Sequence, residues 1–103
     1  MEMSSRQKLQ SKLEELLGSR NVYYQPPNNL TMQYDAIRYS QSTPKIAHAN
    51  NARYLKFKCY DGIVISKKPD PEVVEKIMDL PYTSFGSSYV ADNLYHYPFT
   101  IYY

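Results

Sequence analysis

Leu9, Leu13, Leu16 and Leu17 recur at i, i+4, i+7 and i+8, a spacing that gathers apolar side chains on one face of an α-helix. Ser4 and Gln7 ahead of them have the spacing of a capping box, and Gly18 behind them suits a left-handed helix end. Together these predict a helix over Ser5–Leu17 that lies by its leucines on another layer. Residues 22–25, Val-Tyr-Tyr-Gln, read as a short strand stopped by Pro26-Pro27; proline cannot donate to a ladder, so the strand is expected at a sheet edge. Residues 34–41 read as a second strand, with Ile37 and Tyr39 on one side and Ala36 and Arg38 on the other. The polar run 42–51 reads as a loop.

Residues 54–66, Tyr-Leu-Lys-Phe-Lys-Cys-Tyr-Asp-Gly-Ile-Val-Ile-Ser, pose a choice, because Asp61-Gly62 is a strong hairpin-turn signal. A strand running straight through puts Leu55, Phe57, Cys59, Ile63 and Ile65 on one face, with only Asp61 out of place, and Tyr54, Lys56, Lys58 and Tyr60 on the other. A turn at 61–62 would bring Ile63 and Ile65 onto the face of Tyr60, Lys58 and Lys56, and the segregation would be lost. One long strand, kinked at Gly62, is therefore predicted. At about 3.3 Å per residue it reaches roughly 40 Å, which requires its tip to project from so small a domain.

Asp70-Pro71-Glu72 predicts the start of a second helix, with Asp70 as the cap and Pro71 in the first position. Val73, Val74, Ile77, Met78 and Leu80 make its apolar face, and Pro81 stops it. Strands are predicted over 84–90 and 95–103, joined at Ala91-Asp92-Asn93, with Pro98 marking an edge or a bulge. The order is α-β-β-β-α-β-β. It describes one small α+β domain over residues 1–103: a mostly antiparallel sheet with a long β-hairpin, flanked by two helices.

Composition sharpens this picture at one point. The chain has twelve tyrosines and no tryptophan, and six of the tyrosines fall between Tyr82 and Tyr103. Tyrosine couples a large apolar face to a hydroxyl that needs a partner, which suits half-buried or interface positions, so this tract is expected in the core or at a subunit contact. A formal net charge of +2 is too small to announce a nucleic-acid binder. Cys59 is the single cysteine, so no internal disulfide can form and a reducing compartment is expected. The charged first seventeen residues predict neither a signal peptide nor a membrane span.

Candidate chemistry is sparse. His48, Cys59 and His96 are spread over a loop and two strands without the close pairing of a zinc site, and Cys59 falls among apolar neighbours, where an inert thiol is expected. There is no nucleophile elbow and no phosphate-cradling glycine loop. No catalytic, metal or cofactor residue is assigned, and the expectation is a non-enzyme. Arg53, Lys56, Lys58, Lys67 and Lys68, interleaved with Tyr54 and Tyr60, offer a face for single-stranded nucleic acid, but a solvated strand face guarded by lysines accounts for them more simply. If the long strand projects, Tyr54, Lys56, Lys58 and Tyr60, with Tyr39, become the candidate subunit interface.

Four stretches carry a resemblance: 18–27, Gly-Ser-Arg-Asn-Val-Tyr-Tyr-Gln-Pro-Pro; 32–39, Met-Gln-Tyr leading into Ile-Arg-Tyr; 64–70, Val-Ile-Ser-Lys-Lys-Pro-Asp; and 89–96, Tyr-Val-Ala-Asp-Asn-Leu-Tyr-His. In this order and spacing they resemble the tail-terminator or tail-completion (head-tail joining) proteins of long-tailed bacteriophages and prophages. The resemblance implies an α+β fold whose long hairpin packs between subunits. It also implies a non-enzymatic virion protein, typically a homo-hexameric ring at the neck, that caps the tail tube and joins it to the head connector. Its implied partners are the major tail tube protein and connector or stopper proteins, with viral DNA passing through the ring, no membrane contact, and assembly in the host bacterial cytoplasm. The alternatives are another neck ring, such as a head-closure stopper, or, from a different class, a small nucleic-acid-binding module.

Overall fold

The structure, a computed structural model, describes residues 4–43 and 58–103. The elements are α1 (Ser5–Leu17), β1 (Val22–Tyr24), β2 (Ala36–Ser42), β3 (Cys59–Ser66), α2 (Glu72–Met78), β4 (Thr83–Phe85), β5 (Tyr89–Ala91) and β6 (Leu94–Tyr102). The described strands form one sheet in the order β1-β2-β3-β6-β4, with β5 also on β6; among them only β1 and β2 run parallel. The predicted α+β fold, a mostly antiparallel sheet with two flanking helices, is the fold observed.

α1 has the expected ends. The Ser4 hydroxyl accepts from Gln7 N–H at 3.2 Å, Gln7 Oε1 accepts from Ser4 N–H at 2.9 Å, and Gly18 adopts φ 80°. Leu9 and Leu13 are fully buried and Leu16 and Leu17 pack partly against the same core. α2 differs at its start. Asp70 does not cap it: its backbone sits at φ 51° and its N–H donates to the Tyr97 hydroxyl at 2.8 Å. The cap position falls to Pro71, which offers no side-chain bond. Glu72 and Glu75 in the first turn still meet the positive end of the helix dipole. Val73, Val74 and Ile77 are buried as expected, but Met78 is exposed.

β3 runs straight through Asp61-Gly62, pairing with β2 from Cys59↔Ser42 to Ile65↔Ala36 and with β6 along its whole length. Gly62 is there for space rather than for a turn. It lies opposite Phe99, and a Cβ at Gly62 would stand 2.5 Å from the Phe99 ring, so the glycine lets an aromatic ring lie flat on the strand. The predicted continuation over 54–57 lies outside the described residues, as does the loop from 44 onward.

The face of β3 that meets the helices is the one carrying Tyr60, expected at a subunit interface, and not that of Cys59, Ile63 and Ile65. Directly opposed residues share a face. The helix-covered side therefore carries Ile37 and Tyr39 of β2, Tyr60, Gly62 and Val64 of β3, and Tyr97, Phe99 and Ile101 of β6, and these join Leu9, Leu13, Val22 and Ile77 in the core. Cys59, Ile63 and Ile65 point the other way. Cys59 and Ile65 are nonetheless buried, while Ile63 between them lines an open groove. With apolar residues buried on both sides, hydropathy alone does not say which side the helices take.

β6 is a central strand, so Pro98 is not at an edge, and the bulge reading holds. The register of β4 on β6 sums to 184 (Phe85↔Phe99) and that of β5 to 185 (Tyr89↔His96), so one extra residue is accommodated over 86–88. The predicted strand 84–90 is thus one bulged strand appearing as two. Pro98 faces the interruption: its carbonyl accepts from Gly86 N–H at 2.9 Å, and its missing donor falls where the outer strand has stepped out of register. Asp92 and Asn93, at φ 53° and 62°, close the hairpin to β6.

Leu13→Ala is expected to cost about 2 to 5 kcal/mol of stability in urea denaturation, as for a fully buried leucine. Gly62→Ala is expected to cost about 1 to 3 kcal/mol by overpacking against Phe99. That cost should shrink in a Phe99→Leu background; equal costs in both backgrounds would mean that the Gly62–Phe99 contact is not the constraint.

Candidate functional site

Of the five residues expected at a subunit interface, the structure places two in the core. Tyr60 and Tyr39 are 1% and 2% exposed. Both lie beneath α1, and the helix supplies a partner for each hydroxyl: Tyr39 donates to Gln10 Oε1 at 2.6 Å, and the Tyr60 hydroxyl lies 3.0 Å from Ser5 Oγ. Tyr24, Tyr39 and Tyr60 form a row across β1, β2 and β3, with ring centroids 5.0 and 6.0 Å apart, and the Arg6 guanidinium lies 4.8 Å over the Tyr24 ring. Tyr39 and Tyr60 are therefore removed from the candidate interface. Lys58 is exposed just before β3, its carbonyl accepting from Tyr103 N–H at 2.9 Å. Tyr54 and Lys56 lie outside the described residues.

Gln10 is the pivot of this cluster, and the sequence pattern gave it no role. Its amide accepts from Tyr39 through Oε1, while Nε2 donates to Glu14 and to the Val22 carbonyl, each at 2.9 Å. One side chain thus ties α1 to β1 and β2. Burial raises the Tyr39 pKa above the ordinary 10.0, with the Arg6 guanidinium opposing the shift.

The open middle of the other sheet face is a groove of about 790 Å³. Arg38, Ser40, Asp61, Ile63 and Thr100 contribute to its lining from the sheet. The loop after β1, including Pro26, Leu30 and Met32, contributes one wall, and Ser84, Gly86 and Pro98 contribute the other. That loop is fixed by Gln33 N–H donating to the Tyr23 hydroxyl at 3.1 Å. On the floor the Thr100 hydroxyl donates to Asp61 Oδ1 at 2.9 Å. The sequence pattern places Ala36 and Arg38 opposite Ile37 and Tyr39, and Arg38 lies on the groove side as that alternation requires.

The remaining candidates do not converge. His96 stacks on Tyr89 with centroids 4.8 Å apart, its Nδ1 3.0 Å from the Leu94 carbonyl. It pairs with Ile65, whereas buried Cys59 pairs with Tyr102 at the other end of β3, about 20 Å away at the rise of a strand. His48 lies outside the described residues, among which no cluster of three or more His, Cys, Asp or Glu suits a metal, and no helix is long and apolar enough to cross a membrane. Lys67 and Lys68 do not share a strand face with Tyr60. They follow β3 in a corner where Asp35 accepts from Ser66 Oγ at 2.9 Å and Lys67 N–H at 3.0 Å, and Ser66 Oγ accepts from Lys68 N–H at 3.2 Å. This latch satisfies the fully buried Ser66 and ties the start of β2 to the end of β3.

No protein-family model, curated protein or solved structure matches the chain.

Because the folded state holds Tyr39 neutral, its contribution to stability is fully present below the unfolded pKa near 10 and is lost as pH rises toward the higher folded value. Urea midpoints measured across this alkaline range are expected to fall more steeply for wild type than for Tyr39→Phe. At pH 7 the same substitution leaves Gln10 Oε1 without its donor and is expected to cost about 1 to 3 kcal/mol. Parallel alkaline profiles would show that Tyr39 is not the titrating group.

Proposed function

We propose that this chain is a structural subunit of a bacteriophage neck, forming a ring that terminates the tail tube and joins it to the head connector. The observation that carries the reading is that the four resembling stretches fall on the joints of the fold. Residues 18–27 make the turn from α1 through β1 to the prolines, and 32–39 lead into β2. Residues 64–70 end β3 at the Asp35 latch and lead to α2, and 89–96 form the β5–β6 hairpin. The likeness therefore follows the path of the whole chain and does not rest on one element. The one-sided placement of the helices supports the same reading, since a subunit of a ring needs sheet surface left over for its neighbours.

The interface assigned to this ring is narrower than the sequence pattern suggested: Tyr54, Lys56 and Lys58, without Tyr39 and Tyr60. Tyrosine burial at such a contact supplies energy, and lysines at its rim pair with a neighbour's carboxylates. The alternative of a nucleic-acid-binding strand face is weakened by the direction of Tyr60, which leaves Lys58, Lys67 and Lys68 without that ring to interleave them.

Native mass spectrometry of the chain, alone and with tail tube protein, is expected to give a closed ring. Tyr54→Ser combined with Lys58→Glu is expected to keep the circular-dichroism spectrum and lose the ring, and virions carrying it should show separated heads and tails. A normal ring from this variant would remove these residues from the contact; a wild-type chain that stays monomeric under both conditions would overturn the ring itself. Tyr60→Ala, in contrast, is expected to destabilise the single subunit by about 3 to 5 kcal/mol.

A further inference from the structure

We draw no further inference here: the strongest candidate, the groove of about 790 Å³ over the open middle of the sheet, has Arg38 and Asp61 together in its lining and so no net charge to select a partner, and nothing in the structure shows what covers it.

Discussion

The tyrosine row under α1 is the constraint on which the rest of the fold depends. A phenol ring buries as much apolar surface as a core residue should, but its hydroxyl costs free energy unless it is paired. Tyr39 and Tyr60 can therefore face the helix layer only if α1 brings Gln10 and Ser5 over them. That requirement fixes the rotation of α1 as well as its position, because Leu9 and Leu13 must enter the core from the same face that aims Gln10 at the sheet. β1 is then held by Gln10 as well as by its ladder to β2. An ordinary amphipathic helix with the same leucines and no amide at position 10 would cover the sheet and leave the Tyr39 hydroxyl without its acceptor.

Where the sequence was legible, local chemistry and tertiary demand agreed. α1 carries both of its caps and its leucine stripe in consecutive residues, and its observed bounds are those expected. The path of β3 was legible because pleat segregation outweighed the Asp61-Gly62 turn signal. Gly62 is explained only by Phe99, thirty-seven positions on, so its reason for being glycine was invisible locally. The start of α2 failed for a related cause: Asp70 is held by Tyr97, a contact no cap rule contains.

The candidate site was less legible than the fold. The sequence sets Tyr60 on the lysine-bearing face of a long strand that would project to a subunit contact, with Tyr39 beside it, yet the amphipathic character of tyrosine suits equally a core whose helix carries polar groups at the right height. Within β3 itself, Cys59, Asp61, Ile63 and Ile65 on one face and Tyr60, Gly62, Val64 and Ser66 on the other differ little in apolar content, so the side the helices take is decided by which neighbours the topology delivers. Arg38, Asp61 and Thr100 meet across β2, β3 and β6, elements far apart in the chain, so only the register could reveal the groove they line.

The bulge opposite Pro98 gives the outer strand a property beyond its shape. By adding one residue it changes which side of the sheet the alternating positions face, so Phe85 packs on Phe99 within the helix layer while Tyr89, four residues later, stacks on His96 on the other side. It also leaves that border of the sheet as two runs of three residues out of line with each other. The tract between Thr83 and Ala91 holds no charge and no proline, the composition of a segment prone to uncontrolled stacking into fibrils. The broken border denies incoming chains a straight template of useful length, so backbone geometry stands at this flank where many proteins place a lysine.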